Sequence, residues 1–191
     1  MSGNLIGQEI TLPCGAVIKN RIAKAAMSEN MGNKDYKSNE KFAALYKRWA
    51  EGGAGLLITG NVMVDKHALG EPANVVVEAG HDDKNFEAWA KASVINKTHV
   101  WVQINHPGKQ SPKYLSREPV APSAIPLKAP LNKAFKTPRA LTENEIQDII
   151  TRFAYVAKKS KQAGFTGVQI HGAHGYLISL FLSPLHNNRT D

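Results

Sequence analysis

The chain has 191 residues, of which 42% are hydrophobic and 21% are charged, a balance typical of a soluble globular protein. No apolar run approaches the roughly 20 residues of a membrane-spanning helix, the N-terminus lacks the pattern of a secretory signal, and the single cysteine, Cys14, cannot form an internal disulfide; these features exclude an integral membrane protein and predict a cytoplasmic one. The net charge is +8, but the basic residues are dispersed, which favours solvated helix faces over a nucleic-acid-binding patch.

Short apolar strands alternate with amphipathic helices in the first half of the chain. The first predicted strand covers residues 21–27 and the second, a continuous apolar run suited to burial on both faces, covers 54–59. The helix between them ends at the glycine pair 52–53, and its apolar face holds Phe42, Leu45, Tyr46 and Trp49. The next helix is predicted over about 82–96, with Asp82 or Asp83 as N-cap and an inward face of Phe86, Trp89, Ala90 and Val94.

The second half begins with a strand at 99–105 and a proline-rich insertion at about 107–140, which holds seven of the ten prolines. A helix then starts at Thr142, the N-cap of a capping box completed by Glu145, and ends before Gly164. Its predicted buried stripe is formed by Ile146, Ile149, Ile150, Phe153 and Ala157. The last strand, 167–170, runs into the hexapeptide HGAHGY.

This order of elements predicts an α/β fold made of right-handed parallel β/α units. Two architectures are compatible with it, an open doubly wound sheet and a segment of a TIM barrel. No GxGxxG or GxxxxGK[ST] motif is present, which counts against nucleotide-binding open sheets. Every predicted strand ends in polar residues, as barrel strands do at their catalytic face. We therefore predict a single partial TIM-barrel domain over 1–191, with about four of the eight strands.

The hexapeptide HGAHGY is the densest cluster of reactive side chains. His171 and His174 can both direct ring N–H groups at one ligand oxygen and so stabilise negative charge on it, and Tyr176 can deliver a proton. A histidine that only bonds nearby backbone is the alternative for either ring alone. A metal site is the second alternative, with His106 or a carboxylate as third ligand, but no paired motif such as HExxH supports it. We predict a catalytic trio and no metal.

Three further positions are candidates for holding a flat cofactor. Gln103 lies in an apolar strand and needs hydrogen-bond partners, which either the core or a ligand edge with alternating donors and acceptors could provide. The small residues around Ala26 would let a ring lie against the backbone, or they could simply pack in the strand. Gly60 could permit the same close approach or make a turn.

Several segments together resemble the Old Yellow Enzyme family of FMN-dependent oxidoreductases, and the similarity is collinear from about Leu5 to the last residue. These segments are NRIAKAAMSEN, GGAGLLITGN, WVQINHPGKQ, LTENEI and HGAHGYLISLFLSPLHNNRTD. The resemblance implies a TIM barrel that holds FMN at its carboxyl-terminal face. The cofactor-binding positions that it implies are Ala26, Met27 and Ser28 beneath the isoalloxazine, Gly60 beside the ring, and Gln103 at the pyrimidine edge.

The same resemblance implies roles for the catalytic trio. His171 and His174 would hold the substrate oxygen, with His171 also near the flavin, and Tyr176 would protonate the α-carbon. NADH or NADPH would reduce the flavin, and an activated alkene such as an enone would then accept a hydride at its β-carbon.

Members of this family continue beyond the point where this sequence stops, into strands and phosphate-binding loops of the second half of the barrel. We therefore expect this chain to require a complementing C-terminal half, or a second copy of itself in a homo-oligomer. The alternative is an inactive fragment that binds no flavin.

Overall fold

A computed structural model describes residues 5–80 and 83–191 of the chain. Three short 3₁₀ helices accompany the longer elements, at Leu5–Gly7, Gly108–Gln110 and Leu131–Lys133. The strands of the described residues are β1 (Ile10–Thr11), β2 (Val17–Ile18), β3 (Ala23–Lys24), β4 (Leu56–Met63), β5 (Val75–Val76), β6 (His99–Asn105), β7 (Val120–Ala121), β8 (Arg139–Ala140) and β9 (Gly167–Ile170). The helices are α1 (Glu40–Glu51), α2 (Lys84–Ser93), α3 (Glu143–Ala163) and α4 (Leu177–Leu182).

The central sheet is parallel, and its strands lie side by side in the order β3-β4-β6-β9. One long helix connects each strand to the next, α1, α2 and α3 in turn. Strand β5 pairs with the end of β4, while β1 with β2 and β7 with β8 form two separate small sheets. Sequential parallel strands joined by helices place all their carboxyl ends at one edge, where the polar segments of the sequence then meet.

The helices pack on one face of this sheet around a cluster of aromatic rings. Trp89 is fully buried, and its ring centroid lies 4.5 Å from that of Phe42 and 5.1 Å from that of Tyr46. Phe165 closes the cluster from the loop after α3, at 5.5 Å from Trp89. Of the predicted inward positions, five are confirmed as core: Phe42, Tyr46, Phe86, Trp89 and Ala90. The other three, Leu45, Trp49 and Val94, are only partly buried and pack against that core, and Val94 is the C-cap of α2, which ends at Ser93 rather than near residue 96. We call the opposite face of the sheet, which carries Trp101 and Gln103, the inner face.

Helix α3 begins and ends where the sequence predicts. Thr142 and Glu145 form a complete capping box, and Gly164 ends the helix with φ 101°. The predicted buried stripe is partly wrong, because Ile150 is 56% exposed. The buried side chains are Phe153, Val156 and Ser160, so the helix is rotated such that Ile150 lies toward the open side of β9. For α2, Asp83 is the N-cap, and Asp82 lies outside the described residues.

Two strands differ from their predicted bounds. Only Ala23–Lys24 of the predicted strand 21–27 is paired with a neighbour, and the strand predicted at 54–59 begins at Leu56 and extends to Met63. Strand β4 also contains a bulge: Ile58 pairs with Trp101 but Asn61 pairs with Gln103, so β4 holds one extra residue. The bulge turns Val62 into the hydrophobic core and Asn61 onto the inner face.

The proline-rich stretch at 107–140 contains short regular elements that the sequence did not predict. The parallel pairing of β7 with β8 ties the middle of the stretch to its end. Lys109 at its start is buried, and its ammonium group donates to the carbonyl oxygen of Ile125 at 2.8 Å and contacts His186 Nδ1 at 2.9 Å. These contacts tie the start of the stretch to its middle and to the segment after α4. Within residues 5–80 and 83–191, no helix is long and apolar enough to cross a membrane.

Candidate active site

Three predicted catalytic side chains meet just beyond the carboxyl end of β9. The ring centroids of His171 and Tyr176 are 4.9 Å apart, those of His171 and His174 are 5.2 Å apart, and those of His174 and Tyr176 are 6.3 Å apart. Each pair is close to perpendicular, with interplanar angles of 73° to 79°. Two imidazoles and a phenol are thus clustered, and this set of groups can provide two donors to one ligand oxygen and a proton donor beside them.

The backbone of the hexapeptide is fixed by contacts with the segment after β6. His174 and Gly175 adopt successive left-handed conformations, with φ of 60° and 73°. The Gln110 side chain donates to the His174 carbonyl at 2.7 Å, and the positive φ at residue 175 favours glycine there. The Leu177 N–H donates to the His106 carbonyl at 3.0 Å and so anchors the start of α4.

His171 is buried, and it is held as a neutral donor. The backbone N–H of His171 donates to the Ile104 carbonyl at 3.0 Å, in continuation of the β6–β9 pairing. The ring Nδ1 accepts from the Ala173 N–H at 3.2 Å. Because Nδ1 is an acceptor in that bond, the ring proton is assigned to Nε2. Burial lowers the pKa of His171, and the neighbouring His174 lowers it further. The ring therefore stays uncharged near neutral pH, with its Nε2–H free to bind a ligand oxygen.

Tyr176 is kept protonated. Burial raises the pKa of its phenol, and the nearby carboxylate of Glu71 raises it further. A phenol held in its neutral form near neutral pH can donate its proton to an adjacent carbanion-like centre.

A row of amide side chains crosses the inner face below the trio. Asn61 of β4 pairs in register with Gln103 of β6, which pairs with Gln169 of β9. The side-chain NH₂ group of Gln103 donates to the side-chain oxygen Oε1 of Gln169 at 2.7 Å. The side-chain NH₂ group of Asn61 donates to Ser28 Oγ at 3.3 Å. Sequence reasoning selected Gln103 and Ser28 but missed Asn61 and Gln169. Position 169 could have been found from its spacing, because it lies two residues before His171 and so shares its face of the strand.

The other predicted cofactor positions lie at the Asn61 end of this row, away from Gln169. Met27 is 61% exposed, and Ala26 and Ser28 are half-buried. A Cβ on Gly60 would lie 2.5 Å from the Met27 carbonyl oxygen and 2.9 Å from Ser28 Cα, so this glycine is required by the close approach of the 27–29 segment. The Glu29 carboxylate holds the 27–29 segment close to Gly60, because it accepts hydrogen bonds from the Gly60 N–H at 2.9 Å and from the Tyr46 hydroxyl. A role for these residues toward flavin stays a prediction.

His106 lies behind the trio and has a different environment. It is buried, and its Nδ1 accepts from the Gly108 N–H at 3.0 Å. Burial lowers its pKa to about 4, with the nearby Asp65 carboxylate opposing the shift and the Arg152 guanidinium adding to it. Among the residues that the structure describes, no group of three or more His, Cys, Asp or Glu side chains is placed to hold a metal ion.

The low pKa of His106 predicts a pH-dependent stability. The unfolded chain binds a proton at this histidine below about pH 6.5, whereas the folded chain binds it only near pH 4. The unfolded state therefore holds more protons in this window, and the free energy of unfolding should fall by about 3 kcal/mol from pH 7 to pH 4 through this group. Urea unfolding at a series of pH values measures this. His106→Asn keeps an acceptor for Gly108 and should flatten the pH profile; an unchanged profile would contradict the assignment.

The family relationship follows from comparisons with known proteins. The sequence profile of the NADH:flavin oxidoreductase / NADH oxidase family matches residues 10–191. The NADH-dependent flavin oxidoreductase iliE of Hypocrea jecorina (strain QM6a) is 41% identical over 200 residues, which cover 95% of this chain and 50% of that protein. Its namesake from Neonectria sp. (strain DH2) is 38% identical over 202 residues, which cover 97% of this chain and 26% of that protein. The chain thus spans half or less of the length of these two relatives.

Solved structures give the same result for the fold. The Old Yellow Enzyme homologue of Zymomonas mobilis superimposes with a TM-score of 0.86 at 28% identity, over 98% of this chain and 54% of that one. The Old Yellow Enzyme of Pichia sp. AKU4542 has a TM-score of 0.89 at 22% identity, over 100% of this chain and 52% of that one, and supports the fold alone. The predicted class, parallel β/α units of a TIM barrel with about four of eight strands, is confirmed. By its sequence profile and its half-barrel fold, the chain belongs to the NADH:flavin oxidoreductase / NADH oxidase family.

Proposed function

We propose that the chain forms the substrate-activating half of an FMN-dependent oxidoreductase that takes electrons from NADH or NADPH and reduces activated alkenes such as enones. The observation that carries this proposal is the convergence of His171, His174 and Tyr176, whose ring centroids lie 4.9 to 6.3 Å apart at the carboxyl end of β9. We place this activity in the cytoplasm, because the chain holds one cysteine and no pair that could form a disulfide within it.

The inner face carries groups suited to FMN. Ala26, Met27, Ser28 and Gly60 would lie against the ring system, and Gln103 would bind its pyrimidine edge. The Oδ1 atom of Asn61 is buried and has no hydrogen-bond partner among the described residues, so this face has spare capacity for a donor from a ligand. When bound, FMN supplies the hydride that the substrate receives.

The trio would act on the substrate. The Nε2–H of His171 and the ring of His174 bind the carbonyl oxygen of an enone and stabilise the negative charge that develops there. These hydrogen bonds also fix the orientation of the alkene relative to the phenol of Tyr176. The Tyr176 hydroxyl then delivers its proton to the α-carbon, and the phenolate recovers a proton from solvent.

An exposed apolar groove supports the proposal that the half-barrel needs a partner. The groove has a volume of about 380 Å³ and lies between α3, α4 and the unpaired edge of β9. It exposes 56% of Ile150 and 49% of Ile170, and apolar side chains form nearly all of its lining. Since the chain spans about half the length of the Hypocrea relative, we propose that a further set of β/α units, from a complementing half, covers this groove. The alternative is an inactive fragment that binds no flavin by itself. It rests on the same exposed groove.

Self-association of the isolated chain should report on this groove. We expect the wild type to associate in a concentration-dependent manner, because an apolar face and a free strand edge are both open to a second copy. Ile150→Lys should raise the dissociation constant by at least about tenfold, since it places a charge in the contact. Leu131→Lys, at a similarly exposed apolar residue of the proline-rich stretch, is the control. Sedimentation velocity measures this, and a wild type that stays monomeric at all concentrations would contradict it.

Anaerobic NADH consumption tests the proposed reaction. The chain with added FMN and 2-cyclohexenone should consume NADH and yield the saturated ketone in equal amounts. FMN alone at the same concentration is the control for direct reaction in solution. Consumption no faster than in this control would support the inactive-fragment alternative.

A further inference from the structure

We propose that Gln169 is a positioning residue that fixes the orientation of the Gln103 amide toward the flavin. The inference rests on the proposed function, in which Gln103 binds the pyrimidine edge of FMN. It adds a residue that the sequence did not single out, and it assigns a direction to each amide of the pair.

Register places both side chains in one row of the inner face. Gln103 pairs with Gln169 across β6 and β9, and Asn61 pairs with Gln103 across β4 and β6. The residues on either side of Gln103, Val102 and Ile104, belong to the core that contacts the helices. Because strand residues alternate between faces, Gln103 points away from that core. The bulge in β4 brings Asn61 to the same side.

The hydrogen bond between the two glutamines gives each amide a direction. Gln103 Nε2 donates to Gln169 Oε1 at 2.7 Å, and Gln103 is 9% exposed. An amide carries its oxygen and nitrogen on opposite sides, so this bond turns the carbonyl oxygen of Gln103 away from Gln169. Gln103 is therefore presented as a hydrogen-bond acceptor. Without its partner, the side chain could rotate and present its NH₂ group with equal ease.

The chemistry of the flavin matches this orientation. The pyrimidine edge of an isoalloxazine has one N–H between two carbonyl groups, so it needs an acceptor opposite the N–H. An amide that presented its NH₂ group there would place two donors against each other, which costs a hydrogen bond. The Oδ1 atom of Asn61, buried and without a partner among the described residues, is a second acceptor in the same row. One N–H of the Asn61 amide is donated to Ser28 Oγ.

Two substitutions separate this role from a merely structural one. Gln169→Glu keeps an acceptor for the Gln103 N–H and strengthens the bond by its charge, whereas Gln169→Leu removes it. Gln147→Leu on α3 is the matched control, because it also removes a side-chain hydrogen bond, to Glu143 at 3.1 Å, but lies outside the sheet.

The first measurement uses the chain without flavin. In ¹⁵N-resolved NMR spectra, the NH₂ signals of Gln103 are assigned by their loss in Gln103→Leu. We expect one of the two protons to be shifted downfield by its bond to Gln169, to lose that shift in Gln169→Leu, and to keep or increase it in Gln169→Glu. A Gln103 signal that does not respond to Gln169→Leu would overturn the pairing.

The second measurement is FMN affinity by quenching of flavin fluorescence. We expect Gln169→Leu to weaken binding about tenfold, and Gln169→Glu and Gln147→Leu to stay within about threefold of the wild type. Equal weakening by the Leu and Glu variants, or none by either, would overturn the positioning role. A wild type that binds no FMN would refute the proposed function for the isolated chain, and the NMR result would still decide the pairing.

Discussion

Tyr176→Phe will lower the rate of alkene reduction by a factor of about 10² to 10⁴ in the flavin-loaded protein, which is the usual contribution of a positioned general acid. The phenol is held protonated by burial and by Glu71, and its ring packs edge-on against His171. Phenylalanine keeps that packing and removes only the proton. Reduction of the flavin by NADH should be unchanged, because it does not use this proton. Stopped-flow measurement of the two half-reactions separates these effects.

A matched variant controls for the loss of a hydroxyl elsewhere. Tyr155→Phe on α3 makes the same chemical change at a ring that contacts Lys159 rather than the trio. It should leave both half-reactions at wild-type rates. An equal loss in both half-reactions of Tyr176→Phe would indicate that the hydroxyl serves flavin binding or folding, and it would remove Tyr176 from the proposed proton transfer.

His174→Ala will lower kcat/KM for an enone by a factor of about 10² to 10³, as expected when one of two donors to a developing oxyanion is removed. The His174 side chain is exposed, so its removal takes away no buried packing. Its backbone has φ 60°, a conformation that asparagine tolerates better than alanine does. His174→Asn restores an N–H donor at this position and should recover part of the loss.

Steady-state kinetics with 2-cyclohexenone measures this effect, and His67→Ala, at an exposed histidine in the loop after β4, is the control. Activity at the wild-type level in His174→Ala would show that one imidazole is enough to hold the substrate oxygen. Loss in His174→Asn as large as in His174→Ala would point to a requirement for the imidazole ring itself.

Local signals predicted much of the fold. Strands β6 and β9 were predicted with their observed bounds, because each is a short apolar run between residues that break strands. Helix α3 was predicted at both ends because a capping box and a C-terminal glycine act within a few residues of the helix. The spacing of HGAHGY likewise placed two histidines and a tyrosine within one turn, and the structure brings them together.

The predictions differ from the structure where contacts between residues far apart in the sequence determine the conformation. The bulge in β4 depends on pairing with β6, so the residues of the 54–63 region gave no sign that Asn61 would join the inner face. The spacing of Gln169 to His171 indicates its face of the strand, but only its register with Gln103 shows that the two amides meet. Ile150 fits the apolar period of α3 but lies at the groove, where the barrel is open, rather than in the core.

Retention of flavin by the purified chain tests the central claim most directly. The protein is incubated with FMN, passed through a gel-filtration column, and its visible absorption spectrum is recorded across the protein peak. The account predicts flavin absorbance that co-elutes with protein, and a weaker signal for Gln103→Leu, which removes the proposed contact with the pyrimidine edge. Colourless protein, with all the flavin in the salt fraction, would contradict the claim that this half-barrel provides an FMN site.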